Sequence, residues 1–469
     1  MTVAPASRTT ERPAFDLLDP AFYLGDMHGA FAWMRANEPV YRDEQNGLWA
    51  VTRHHDIQDV EARSDVFVSG RGYRSFWSPD ETNMIALDDP AHADQRRLVS
   101  RRFTPRAVRE QEPWLRATTR ELVDAFVDDG SVEVIDALAG QLPTRLTARL
   151  LGWPEDRWPD VKSWAERLMA YDAIPRDPEA AIGMMTAISE FDRDLTAMVE
   201  ERRGCPMGDL VSVWANAEIG GQPMEPARIM HETGLFISGG AETTRTVISR
   251  GLRAFCDHGD QWELLHREPR HVASAVDELV RWVTPLNNFF RTAARDTRIG
   301  GLPVREGDRV ILCYPSGNRD ESVFDDPFRF DVTRRPNPHV GFGFGTHFCL
   351  GASLARLVLA RRARGADAAH HEPASRRGDR AGAEHLRLHG EVVPPRLRPT
   401  LTRDASGPRP QPSSVAANGR CSQRGADASG IACTASSGTP GTTPSRSSGM
   451  SCSSGGHASA MPTIVVSAA

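Results

Sequence analysis

The sequence has a single lysine, Lys162, so nearly all of its basic charge is arginine. It uses no aromatic residue beyond Phe348, although the chain runs on to Ala469. A domain of ordinary composition does not stop using aromatics at one point. Cysteine is scarce: positions 205, 256, 313, 349, 421, 433 and 452 are odd in number and form no C-x-x-C. That pattern argues against a disulfide framework or a zinc site. No apolar run reaches the ~18 residues of a membrane span, and Met1 to Pro20 has no signal-peptide core. A cytoplasmic protein without a membrane span is therefore expected. Excess positive charge is also missing. A net charge of −6 argues against nucleic acid as a partner. The length of 469 residues fits one large domain or two.

What is present is mostly helical periodicity. Phe15 to Tyr41 reads as a helical segment, Leu48 to Thr52 as a strand and His55 to Arg63 as a helix. Ser69 to Leu87 mixes Gly, Ser, Pro and aromatics without a period and reads as a long loop, often a binding element. A helix after Asp88-Asp89-Pro90 carries His92, Arg96 and Arg97, and Arg101, Arg102, Arg106 and Arg109 continue a basic patch. Helical patterns fill Trp114 to Arg203. A long apolar helix spans Ala227 to His258, interrupted at Glu242-Thr243-Thr244 just after Gly239-Gly240. A further helix, His271 to Val283, carries Glu278 and Arg281 and stops before Pro285. Strand-like runs follow at Phe289 to Ala293, Thr297 to Ile299 and Arg309 to Leu312. The expected class is mainly α with small β-sheets.

The most distinctive stretch is Gly341-Phe342-Gly343-Phe344-Gly345-Thr346-His347-Phe348-Cys349-Leu350-Gly351. Alternating glycines permit a tight turn and close approach of backbone to a flat ligand. A cysteine in such a turn, just before a helix, would have its thiolate stabilised by backbone N–H groups and the helix's positive end. Those are conditions for a thiolate metal ligand. The plainer alternative is a glycine-rich turn around an inert thiol. A dinucleotide-binding glycine loop is excluded, because Phe348 stands where its third glycine is needed.

Taken together, the motifs resemble those of the bacterial soluble cytochromes P450, haem-thiolate monooxygenases. F-G-x-G-x-H-x-C-x-G is matched from Phe342 to Gly351, E-x-x-R by Glu278 and Arg281, and G-G-x-[DE]-T-[TS] by Gly239 to Thr244. Their order and spacing carry the resemblance, which spans about Phe15 to Arg361 and is nearest to actinobacterial sterol-oxidising members. The resemblance implies the cytochrome P450 fold over residues 1–361 and haem b (iron protoporphyrin IX) as cofactor, with O2 as co-substrate and no bound flavin. It makes Cys349 the axial iron ligand. It places His92, Arg96, Arg291 and His347 at the haem propionates, and Phe342, Gly343, Gly351, Gly240 and Ala241 against the haem. Thr243 would stand beside dioxygen and Glu242 would relay protons, while Arg334 would join the Glu278–Arg281 pair. Met84, Ile85, Phe236, Leu286 and Phe289 would line a pocket for a small hydrophobic substrate, a sterol or steroid. Electrons would come from a ferredoxin and its ferredoxin reductase, docked on Arg97, Arg101, Arg102 and Arg106.

The tail departs from that pattern. Residues 362–469 are rich in Gly, Ser, Pro, Ala and Arg and replace the family's usual helix and closing strands. They are expected to be an aberrant, frame-shifted and disordered segment, entered near Ala360 to Ala363. Scarce lysine fits a G/C-rich gene, whose wrong frames encode such residues. One permitted codon choice for 363–373, read in the neighbouring frame, encodes good helix formers with Leu and Ile at helical spacing. The alternative function is then a haem-binding but inactive or unstable product.

Overall fold

The computed structural model describes residues 12–127, 131–174, 177–365 and 465–467. Helices predominate, beside a five-stranded sheet. Its strand order is Val40–Asp43, Leu48–Val51, Arg309–Cys313, Asn288–Ala293 and Phe67–Val68. The central strand Arg309–Cys313 runs parallel to Leu48–Val51 and antiparallel to Asn288–Ala293, with Ile311 opposite both Ala50 and Phe290. Alternation then sorts the side chains. Phe290 and Ile311 pack with Phe31, Met34 and Leu48. Ala293, Val310 and Leu312 pack on the other face with Ile57, Val60 and Tyr314.

The strand Val40–Asp43 lies where the sequence reads as helix. The observed helices there are Pro20–Leu24 and Met27–Asn37. Pro39 disfavours helical backbone at the residue before it, and the four-residue strand that follows is too short to show a period of its own.

The helical part is built around Pro226–Asp257, whose Pro226 occupies the first turn where its missing N–H is harmless. This helix packs against Gln141–Leu151, Trp158–Met169 and Val272–Val283. It separates two apolar clusters: Ile229, Ile237 and Ala241 belong to one, and Val247, Ile248, Ala254 and Phe255 to the other. The interruption expected at Glu242-Thr243-Thr244 is not observed, and the helix runs unbroken through them. The reason is local. Thr243 Oγ1 donates back to the Gly239 carbonyl at 2.8 Å, so its hydroxyl is satisfied inside the helix rather than against it.

Val272–Val283 ends at Thr284, whose φ of 44° is left-handed, with Pro285 next. On this helix Glu278 and Arg281 are both fully buried. Arg281 Nε and Nη2 donate to the two Glu278 oxygens at 2.7 and 2.8 Å. Its remaining N–H groups reach the carbonyls of Asn318, Pro327 and Arg329 at 2.8, 2.9 and 3.1 Å. Glu278 also accepts from the Asp331 N–H at 2.9 Å and from Asn337 Nδ2 at 3.1 Å, and lies 3.2 Å from Arg334 Nε. One carboxylate thus ties the irregular segment before the cysteine loop to a core helix.

The helix after the cysteine loop, Ala352–Gly365, packs on Val272–Val283 and Glu112–Asp124. Of the tail expected to be disordered, 362–365 continue this helix and Val465–Ser467 pair antiparallel with Ser131–Glu133. Residues 366–464 lie outside the described residues.

Breaking a buried ion pair by removing one partner typically costs about 3–5 kcal/mol. Glu278→Ala is therefore expected to lower unfolding free energy by about that much, measured by denaturant titration. A loss below about 1 kcal/mol would mean that water or a neighbour replaces the carboxylate.

Candidate active site

The cysteine loop is held from three sides. The Cys349 N–H donates to the Phe342 carbonyl at 2.9 Å and closes the loop on itself. Arg96 Nη2 donates to the Phe348 carbonyl at 2.6 Å. Ser69 Oγ meets His347 Nε2 at 3.2 Å, and Ser64 Oγ meets Thr346 Oγ1 at 3.3 Å. Gly343 and Gly345 have φ of 68° and 66°, a region that L-residues avoid. At Gly345 a Cβ would also sit 2.5 Å from the Glu61 carbonyl oxygen, so the loop rests on the end of the helix His54–Ala62.

The Cys349 side chain is exposed, yet burial is the leading influence on its protonation and holds the thiol above its ordinary value. The backbone N–H groups of Gly351 and Ala352 and the guanidiniums of Arg96 and Arg356 act in the opposite direction, favouring the thiolate. Arg356 stacks over the Phe342 ring at 4.7 Å and is held by Asp277 at 2.8 Å. The Gly351 position is 3.9 Å from Sγ by its would-be Cβ.

On one side of this loop the structure gathers His92, Arg96, Arg291 and His347. The His347 imidazole is held far below its usual pKa, first by burial and then by Arg291, His92 and Arg96. Its ring lies 4.3 Å from that of His92. His92 Nδ1 meets Asp89 at 3.1 Å, while its buried Nε2 has no partner. Two guanidiniums and two imidazoles drawn together, with an unsatisfied buried ring nitrogen among them, could hold an anion.

Within the long helix, Gly239 and Gly240 are exposed although residues on either side are packed. A Cβ at Gly239 would meet nothing within 4 Å, whereas one at Gly240 would strike Thr147 Oγ1 at 2.9 Å. The face expected from the motif is thereby corrected. Gly240 is small because the helix Gln141–Leu151 crosses it, and Ala241 is buried in an apolar cluster. Gly239 and Thr243, one turn apart, form the open face; sequence reasoning missed Gly239, which the i,i+4 spacing from Thr243 could have singled out. An exposed thiol in a glycine loop, a group of two guanidiniums and two imidazoles and a side-chain-free helix face together fit a flat dianionic metallocofactor.

Glu242 points elsewhere. It is buried, with its carboxyl raised above the ordinary value mainly by burial. It pairs with Arg245, which reaches Glu166 at 3.1 Å. Lys162, the lone lysine, meets Glu166 at 3.0 Å and the exposed Asp136 at 3.5 Å. A string of charges thus runs from the middle of the long helix to the surface.

The five pocket candidates are divided. Met84, Ile85 and Phe236 share one apolar cluster with Ile237 and Ala241. Phe236 packs edge-on to Trp214 at 5.2 Å. Phe289 belongs to the cluster under the sheet and faces Tyr73 and Tyr314, and Leu286 is half-buried between helix and strand. Arg97, Arg101, Arg102 and Arg106 are all exposed, Arg97 beside Asp94 and Arg102 on the Gly208 carbonyl.

A family model described as Cytochrome P450 matches residues 206–360. A steroid C26-monooxygenase of Mycobacterium tuberculosis is 36% identical over 354 residues, covering 75% of this chain and 88% of that protein. The chain belongs to the cytochrome P450 family. Another steroid C26-monooxygenase, of Mycolicibacterium smegmatis, is 38% identical over 74% of this chain and 86% of its own length. Among solved structures, a Mycobacterium marinum cytochrome P450 in complex with pseudoionone superposes with a TM-score of 0.69. It is 35% identical, over 75% of this chain and 91% of that one. The fold is therefore the P450 fold, and the chain is a P450 of the haem-dependent monooxygenase class. No described helix of this P450 is long and apolar enough to cross a membrane.

Left-handed backbone costs an L-residue about 1–2 kcal/mol. Gly47, with φ of 64° and nothing within 4 Å, supplies the reference. Gly47→Ala should lose about 1–2 kcal/mol, and Gly345→Ala clearly more because its methyl meets the Glu61 carbonyl. Denaturant titration of the two variants checks this. Equal losses would mean that the loop does not rest on that helix.

Proposed function

We propose that this P450 binds haem b through Cys349 and inserts one oxygen atom of O2 into a steroid-like hydrophobic substrate in the cytoplasm. The observation that carries the reading is the exposed Cys349 in its glycine loop beside the group His92, Arg96, Arg291 and His347, where a buried ring nitrogen of His92 has no partner. Bound there, the haem supplies oxygen activation, favoured by electron donation from the thiolate. Gly351 and Ala352 N–H groups favour the thiolate form of the sulphur. Arg291, Arg96, His92 and His347 hold the propionates, and Gly239 leaves the open helix face free of side chain. Thr243 positions a hydroxyl on that face, anchored by its bond to Gly239. Glu242 passes protons inward from the side of Glu166 and Asp136, which Arg245 and Lys162 hold in place, and burial keeps its carboxyl above the ordinary range. Phe342 fixes Arg356 on the sulphur side.

Steroid-like substrates are supported by the relatives named steroid C26-monooxygenase and by the apolar group Met84, Ile85 and Phe236. Leu286 and Phe289 would border that site from the sheet side. A ferredoxin, reduced by its reductase, fits the exposed arginines 97, 101 and 106. The carbon monoxide difference spectrum of the reduced protein tests the assignment. Wild type should give the red-shifted band of a thiolate-ligated carbonyl, and Cys349→Ser should abolish it. A retained band would remove Cys349 from the iron.

One observation favours a second reading, a haem protein whose fold is left incomplete. An apolar groove is lined by Val247, Gly251, Phe255, Trp262, Leu279 and Leu359. The family-model match stops one residue later, at Ala360. There the sequence turns to Arg361, Arg362 and Arg364, which cannot continue an apolar helix face into the groove. On this reading a frame change near Ala360 to Ala363 has removed the covering helix. Sequencing the gene across this point and restoring the frame should raise haem retention and thermal stability together. An in-frame gene, or a restored chain no more stable, would reject it.

A further inference from the structure

Beneath the cysteine loop lies a carboxylate that the reading above leaves unused. Glu61, on the last turn of His54–Ala62, has a buried side chain (2% exposed). Its Oε1 accepts from Tyr314 Oη at 2.8 Å and lies 3.6 Å from Arg291 Nη2; its buried Oε2 has no partner. The Phe344 backbone of the cysteine loop also favours its ionised form. Arg291 in turn gives Nη1 to the Phe290 carbonyl at 2.7 Å and lies close enough to His347 to depress its protonation. The charged and titratable groups facing Glu61 are therefore Arg291 from the strand and Tyr314 from the short helix Tyr314–Gly317. The loop contributes backbone only.

We propose that Glu61 and a haem propionate compete for the Arg291 guanidinium, so that loading haem drives one solvent proton onto Glu61. This rests on the reading that Arg291 holds a propionate. The balance is simple: Arg291 keeps its charge, the propionate stays ionised, and the Glu61 carboxylate becomes a neutral acid that still accepts from Tyr314. Without haem, Glu61 is the only carboxylate among the described residues within ion-pair distance of Arg291. When a second one arrives, one guanidinium cannot neutralise both in a dry site. Burial already pushes the Glu61 carboxyl up to about 7, so the exchange falls in the neutral range. Tyr314 stays protonated, raised far above its usual value by burial and by Glu61, and so remains a donor throughout. Glu61 is thus a positioning residue: it holds Arg291 ready in the empty pocket and yields it on loading.

The sign follows from linkage. Below the Glu61 pKa the site is neutral and behaves like glutamine. Above it, the carboxylate must take up a proton before the propionate binds, so haem affinity falls with rising pH relative to Glu61→Gln. Holoenzyme and variant are equilibrated with excess apomyoglobin from about pH 6 to about pH 9, and haem partition is read from the Soret bands. Protons released by Cys349 on ligation are common to both proteins and cancel in the ratio. The ratio of dissociation constants, wild type over Glu61→Gln, should be constant near pH 6 and rise by up to about tenfold per pH unit above 7. A flat ratio, in protein whose reduced carbonyl complex has the thiolate band, overturns the proposal and leaves the functional reading standing. A chain that takes up no thiolate-ligated haem overturns both. Should Glu61→Gln fail to fold, Tyr314→Phe serves: losing its hydroxyl raises the carboxyl further, and the onset should move to higher pH. An unmoved onset counts against the proposal.

Discussion

Arg281 inside the core is the constraint on which the rest depends. A guanidinium with no exposure to water must have every N–H answered, and here Glu278 and the carbonyls of Asn318, Pro327 and Arg329 answer them. Meeting that demand fixes an otherwise irregular segment in one conformation. Glu278 extends the constraint by binding the Asp331 N–H, Asn337 and Arg334. The cysteine loop begins at the end of that segment, so its position is inherited from a buried charge rather than from regular structure. Such a pair adds little net stability over an apolar substitute, but it is directional, and direction is what a loop needs.

The loop itself is then shaped by contact with two other elements. Arg96 takes the Phe348 carbonyl, and the helix His54–Ala62 meets Gly343 and Gly345 so closely that neither can carry a side chain without displacement or strain. The same contact buries Glu61 beside Arg291 and Tyr314. Loop geometry and the electrostatics around Arg291 are thereby linked through one helix end. The long helix divides its labour by face. Gly240 admits a neighbouring helix, Gly239 and Thr243 stay open, and Glu242 heads a charged string to the surface.

The helices and most strands were legible because their periods are long and apolar, as in Val272–Val283, or bounded by Pro and Gly. The first sheet strand was not, since Val40–Asp43 is a strand by pairing with Leu48–Val51 and not by its own pattern. Thr243 reads as a helix breaker in sequence because threonine competes for backbone groups. It sits within the helix because the Gly239 carbonyl accepts its hydroxyl. The glycine pair looks equivalent on paper, and only the crossing of Gln141–Leu151 tells the two apart. The pocket candidates were chosen by apolarity, which does not distinguish the cluster around Phe236 from the one beneath the sheet.

By itself the sequence determined the family, the glycine loop around Cys349, the Glu278–Arg281 pair and the point where the family pattern ends. Each of these is a matter of residue type at short spacing, where chemistry is local. Only the tertiary structure decided which glycine borders the open face, which arginines reach the cysteine loop, and that Glu61 shares Arg291. Those facts depend on residues hundreds of positions apart meeting in a dry interior, where the energy of a charge is set by its neighbours and not by its place in the chain.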